Sequence, residues 1–241
     1  MTILEVRGIS RRFGGLQALS EVTFSIPKGQ IVGLIGPNGA GKTTLFSTLV
    51  GLIRPDSGAV ILDGESLIGL KPHRIAARGM TKTFQNVALF AESTVLDNVL
   101  TAGLLRHNVE TARRQALTCL DRVGLKGASH KKAGNLSFPE RARAELARAL
   151  CTSPKVLLLD EVMAALNPVE MQEIMQLIRS LRDEGITPLL VEHHVRAIMT
   201  VCDRILVFNF GRLLADGTPT QIAADPHVIE AYLGRSLETR P

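Results

Sequence analysis

The sequence predicts an α/β fold: a mainly parallel sheet, antiparallel strands near the N-terminus, and an inserted all-helical block. Three observations predict it. Short apolar runs at residues 31–35, 156–159 and 187–191 read as strands buried on both faces. Helical stretches alternate with them, which is the pattern of parallel-sheet proteins. Between residues 94 and 150 no strand-like alternation occurs; Val95, Val99, Leu100 and Ala102 fit one helical face, and Leu117, Leu120 and Val123 another.

Taken in order, residues 3–10 alternate apolar and polar side chains, as a half-buried strand does. Residues 11–15 read as a turn around Phe13, and residues 22–26 alternate again before Pro27-Lys28-Gly29 turns the chain into the run 31–35. A glycine-rich stretch, Gly36-Pro37-Asn38-Gly39-Ala40-Gly41-Lys42-Thr43-Thr44, follows and leads into an apolar helix over 45–50. After a loop, residues 59–62 form a strand ending at Asp63-Gly64, and Pro72 opens a short basic helix that runs to Arg78. Beyond the helical block come the strand 156–159, a helix over 168–183 and the strand 187–191, with Pro188 near its start. Residues 204–208 and 212–215 pair as a hairpin about Asn209-Phe210-Gly211, and helices at 219–224 and 227–233 close the chain.

Composition narrows the class. At 241 residues and 45% hydrophobic content the chain has enough apolar surface for a sizeable core. The net charge of +5 is mild and no long basic run appears, so the basic residues read as dispersed and no nucleic-acid partner is expected. Cys119, Cys151 and Cys202 lie far apart in apolar contexts, with no C-x-x-C, and read as buried thiols rather than a disulfide frame or metal site. No apolar run approaches the roughly 20 residues of a membrane span, and the N-terminus enters a strand without a signal peptide. The expectation is a soluble protein able to dock on a membrane protein.

The glycine-rich stretch has the G-x-x-x-x-G-K-T spacing of a P-loop, flanked by a strand and a helix as that motif requires. Gly36, Gly39 and Gly41 allow backbone angles closed to other residues, so that N–H groups turn inward onto phosphate oxygens. Lys42 supplies a full charge for the β- and γ-phosphates, and the Thr43 hydroxyl suits Mg²⁺. The chain is therefore expected to bind ATP or GTP. Such a site needs an acidic partner at the end of a neighbouring buried strand, and Asp160 fits, holding Mg²⁺ directly or through water. Glu161 follows in place to orient or deprotonate an attacking water. His193 ends another buried strand, where an imidazole can donate to the γ-phosphate. The pair His193-His194 is not metal-ligand spacing. Two readings fit Phe13: a core residue, favoured by pattern alone, or a ring that stacks on the nucleotide base.

These pieces in this order resemble the ATPase subunit of an ABC transporter, over essentially the whole chain. The resemblance implies a single ABC ATPase domain over 1–241: residues 1–86 and 153–241 make a RecA-like P-loop NTPase core with an antiparallel β lobe, and residues 87–152 make the helical, signature-bearing part. It places Phe13 at the base-stacking position, residues 36–44 as Walker A, Gln85 as the Q-loop glutamine that helps hold Mg²⁺, and residues 156–161 as Walker B. It also makes Ala165-Leu166-Asn167-Pro168 the D-loop and His193 the switch histidine, and sets Leu136-Ser137-Phe138-Pro139-Glu140 where the signature belongs, with Ser137 toward ATP. Arg12-Phe13-Gly14-Gly15-Leu16, Thr83-Phe84-Gln85-Asn86-Val87, Leu166-Asn167-Pro168 and Ala231-Tyr232-Leu233-Gly234 resemble branched-chain amino acid importers, in particular the longer of their two ATPase subunits. The helical region after Arg106 is shorter than is usual there. The implied cofactors are ATP and Mg²⁺. The implied partners are a second ABC ATPase subunit, two membrane permease subunits and, indirectly, an extracytoplasmic solute-binding protein, with the chain peripheral at the cytoplasmic face of the membrane.

Three departures from the family pattern stand out. In the signature, Pro139 replaces a glycine whose N–H should face phosphate, and Glu140 brings a carboxylate near a polyanion. Val162 replaces the usual proline after Walker B, and His194 the usual aspartate after the switch histidine. The expectation is a full cis set in Lys42, Glu161 and His193, with an impaired signature. Competing readings are a lipopolysaccharide-export ATPase, a soluble ABC ATPase acting on nucleic acid or ribosomes, and a regulatory subunit that barely hydrolyses nucleotide.

Overall fold

A computed structural model of the chain describes residues 1–84, 89–164 and 166–233. Its centre is a six-stranded sheet in the order β10-β9-β3-β8-β7-β6. The strands are β3 (Val32–Ile35), β6 (Met80–Lys82), β7 (Val156–Asp160), β8 (Thr187–Val191), β9 (Arg204–Asn209) and β10 (Arg212–Gly217). Five run parallel, and β10 returns antiparallel along β9 as the predicted hairpin. A second, wholly antiparallel sheet has the order β2-β1-β4-β5. It is built from β1 (Thr2–Phe13), β2 (Leu16–Pro27), β4 (Ser57–Leu62) and β5 (Glu65–Ser66).

The central strands are buried on both faces, and their two-residue period divides the core. Leu157, Leu159 and Leu190 face one apolar cluster, which they share with the helices inserted between β6 and β7. Those helices are α3 (Val95–Gly103), α4 (Val109–Arg122) and α5 (Phe138–Leu150). Val156, Leu158, Leu189 and Val191 face the other cluster, shared with the antiparallel sheet and with α1 (Lys42–Leu49). A side chain in the middle of this sheet therefore packs on all sides, as full burial of Leu34, Leu158 and Leu190 reflects.

Helix boundaries follow side-chain chemistry. Thr94 and Asn108 cap α3 and α4 by accepting the N–H of the third residue of each helix. The helix α2 (Pro72–Arg78) starts on its proline and stops at Gly79, whose φ of 107° is easy only for glycine. Asn167 and Glu170 form a capping box at the head of α6 (Pro168–Asp183). The remaining helices are α7 (Val195–Val201), α8 (Pro219–Ala224) and α9 (Pro226–Leu233).

Two expectations change. The first strand runs on to Phe13, so the predicted turn shrinks to Gly14-Gly15 and β1 and β2 form a long hairpin. Strand β6 was not predicted; its three residues are too few to show a period, and only pairing with β7 makes it a strand. The three cysteines are all buried, as expected. Replacing Leu190 by alanine in the middle of the sheet should cost about 2–5 kcal/mol in equilibrium chemical denaturation.

Candidate active site

Strand β3 ends at Ile35, and the chain must reverse within six residues to begin α1 at Lys42. Two glycines make this possible. A Cβ at Gly36 would lie 2.2 Å from the carbonyl oxygen of Phe208, and one at Gly41 would lie 2.6 Å from that of Ala18. Gly41 also has φ of 102°, in the left-handed region. Lys42 folds back over the loop, its Nζ donating to the carbonyls of Gly36 at 2.6 Å and Pro37 at 3.0 Å. Burial lowers the pKa of Lys42, and the charges of Glu161 and Asp160 oppose that shift.

The loop forms one wall of a 360 Å³ cleft lined by Phe13, Asn38, Lys42, Thr43, Glu161 and His193, among others. Gly39, Ala40 and Thr44 line it too. The parallel sheet explains the meeting: β3, β8 and β7 are neighbours, and each delivers its functional residue at its carboxyl end. Glu161 directly follows β7 with a left-handed φ of 53°, and its N–H donates to the carbonyl of Val191 at 2.9 Å. A glutamate in that region is strained. The distortion brings its Oε1 to 2.8 Å from His193 Nε2.

Phe13 is not a core residue. The long β1–β2 hairpin carries it to the mouth of the cleft, where its side chain is 42% exposed and the Arg11 guanidinium lies 4.7 Å from the ring centroid. The pattern-based reading of Phe13 as core is corrected, because the hairpin outruns the sheet that would have buried it. Phe210, read only as a turn residue, also lines the cleft and is largely exposed.

Asp160 lies beneath this surface, buried, with its N–H donated to the Thr83 hydroxyl at 3.0 Å. Its carboxylate pairs with buried Lys82 at 2.8 Å, a partner that the sequence reading missed. The Thr43 hydroxyl and the Asp160 carboxylate are hard oxygen donors of the kind Mg²⁺ takes beside phosphates, so the donor set fits that ion. Among the described residues no cluster of three His, Cys, Asp or Glu side chains could hold a metal by itself. Gln85 lies outside the described residues, as do Asn86 and Val87, Ala165 of the D-loop stretch, and Gly234.

Ser137 stands apart from the cleft, as the N-cap of α5. Glu140 turns back onto it: the Ser137 N–H donates to Glu140 Oε2 at 2.8 Å, and the Glu140 N–H points at Ser137 Oγ. These bonds from Ser137 hold the Glu140 carboxyl below the usual carboxylate range, and Lys131 and Arg143 add to the effect. Pro139 gives the same turn no N–H.

A second buried carboxylate went unnoticed in the sequence. Glu192 accepts the N–H of Met163 at 2.8 Å and so braces the turn that carries Glu161. Its signal was the one that identified Asp160, an acid ending an apolar strand.

Comparison with known proteins shows the family of the chain. Residues 19–164 match the ABC transporter family. The chain belongs to that family, as an ATP-binding and ATP-hydrolysing subunit. Residues 212–237 match a narrower family, the branched-chain amino acid ATP-binding cassette transporter. The chain is 43% identical to the high-affinity branched-chain amino acid transport ATP-binding protein BraF of Pseudomonas aeruginosa, over 97% of this chain and 98% of BraF. It is 35% identical to the lipopolysaccharide export system ATP-binding protein LptB of Escherichia coli, over 98% of this chain and 99% of LptB. Among solved structures, a nucleotide-free ATP-binding cassette from an ABC transporter superposes with a TM-score of 0.89 at 29% identity, covering 97% of this chain and 100% of that one. A dimeric post-hydrolysis cassette bound to ADP and Pi superposes at 0.82 with 25% identity, covering 90% of this chain and 99% of that one.

Burial pushes the Glu192 carboxyl up to about 7, with the N–H of Met163 opposing and Glu161 and Asp160 adding to the rise. In the unfolded chain it ionises near 4.5, so between these values the folded state holds the extra proton. Stability should therefore fall as pH climbs from about 4.5 to 7, by roughly 3 kcal/mol from this group. Denaturation midpoints measured across that range should flatten in Glu192→Gln.

Proposed function

We propose that this chain energises an ABC importer for branched-chain or other hydrophobic amino acids, or for related amides or urea. The observation that carries the reading is the cleft in which Lys42, Glu161 and His193 meet beside the P-loop. The likeness to BraF along nearly the full chain supports the solute class. The chain closes head to tail with a second ABC ATPase subunit on two ATPs, at the cytoplasmic face of the membrane, and works with two permease subunits and an extracytoplasmic solute-binding protein. That no helix among the described residues is long and apolar enough to cross a membrane accords with a peripheral subunit.

In this mechanism the loop N–H groups and Lys42 hold the β- and γ-phosphates, and Phe13 stacks on the base. Thr43, Asp160 and Gln85 would hold Mg²⁺, which would neutralise charge on the phosphates. Glu161 orients or deprotonates the attacking water. His193 donates to the γ-phosphate, and its contact with Glu161 lets each fix the other's side chain. The helical part, residues 87–152, presents Ser137 to the partner's nucleotide, and the region around Gln85, Leu89 and Phe90 meets a permease. Glu161→Gln should lower ATP hydrolysis about 10²–10⁴-fold while nucleotide still binds. Steady-state hydrolysis by the chain alone and mixed with its partner ATPase tests this; an unaffected mutant would overturn the assignment.

The signature favours two unequal sites. A phosphate approaching α5 meets the Glu140 carboxylate already seated on the Ser137 N–H, and finds no N–H at Pro139. Pro139→Gly with Glu140→Gln, in a reconstituted heterodimer, should raise turnover at the site this signature completes. Unchanged turnover would mean that Ser137 and the helix dipole suffice. The identity with LptB keeps lipopolysaccharide export as a second reading. Solute-stimulated hydrolysis in the reconstituted complex separates it from amino acid import.

A further inference from the structure

Lys82 has no role in the mechanism above, yet it is the side chain that neutralises Asp160. It ends the edge strand β6, paired in parallel register with Leu158 of β7. Its Nζ lies 5.9 Å from the centroid of the Phe46 ring and 5.5 Å from that of Phe84. The ammonium reaches Asp160 Oδ2 at 2.8 Å, with both side chains over nine-tenths buried. Burying two charges in this way is costly and is sustained only by close pairing. Three carboxylates, Asp160, Glu161 and Glu192, crowd this end of the sheet, and Lys42 and Lys82 are the cations set among them.

We propose that Lys82 is a positioning residue for the metal-binding aspartate, a claim that rests on the ATPase reading of the cleft. By holding Oδ2, Lys82 fixes the orientation of the carboxylate that would take the metal. Its charge also competes with the divalent ion for Asp160, and so sets how tightly that ion is held. Lys82 has a second face. With Phe84, Phe90, Asn98 and Glu145 it lines a 260 Å³ groove that opens at the surface, where Phe90 is 62% exposed. Glu145 accepts the Phe84 N–H at 3.2 Å on the same wall. One side chain thus joins the groove to the carboxylate that holds the metal, and anything seated in the groove bears on the buried ion pair.

The test compares Lys82→Met, Lys82→Gln and Lys82→Arg in the full chain. Mn²⁺ binding in the presence of ADP is read by electron paramagnetic resonance, and nucleotide binding in EDTA by a fluorescent ATP analogue. Loss of the rival charge should tighten Mn²⁺ binding roughly tenfold in the Met and Gln variants. Metal-free nucleotide binding should stay unchanged, and kcat at saturating Mg²⁺ should fall with little change in KM for ATP. The Arg variant should keep the wild-type Mn²⁺ affinity. Mn²⁺ affinity unchanged or weakened in the neutral variants would overturn the proposal. If Lys82→Met does not fold, the Gln and Arg variants decide it. A wild-type chain that binds neither nucleotide nor Mn²⁺ would overturn the ATPase reading itself, a different failure.

Discussion

Parallel pairing of β3, β8 and β7 is the constraint on which the rest of the molecule depends. It sets three adjacent strands pointing the same way, so that the P-loop, His193 and Asp160-Glu161 emerge at one edge. Parallel strands need long crossovers, and these become helices that pack on the sheet, joined on one face by the antiparallel sheet. The chemistry and the core are therefore one arrangement. The same register that buries Leu158 and Leu190 sets how far Glu161 stands from His193.

Charge is handled differently at each depth of this edge. Nearest the surface, Glu161 and His193 line the cleft and contact each other. One layer down, Asp160 is matched by Lys82, and Glu192 is kept largely protonated below about pH 7 by its own burial. The loop below Glu161 is fixed by the Val191 carbonyl and the Glu192 carboxylate, which receive the N–H groups of Glu161 and Met163. These bonds compensate a left-handed glutamate that no local preference would select.

Much of this was legible in the sequence because it rests on local signals. The P-loop spacing, the apolar strands that end in Asp160 and His193, the proline-started helices and the helical block all follow from residue order. What escaped depends on distance in space. Phe13 looked like core because nothing local shows that its hairpin outruns the sheet. Strand β6 is defined by β7, some 70 residues later, and Lys82 has no visible partner until those strands pair. Glu192 carried the same signal as Asp160, but the histidine beside it drew the functional reading.

The capping box at Ser137 and Glu140 bears on motion as well as charge. A helix whose first turn waits for a ligand frays until that ligand arrives. Here the head of α5 is closed by its own side chains, which take the N–H groups of Ser137 and Glu140. A first turn that is already ordered loses less conformational entropy when anything docks on it, so the capping box preorganises the head of α5 for contact.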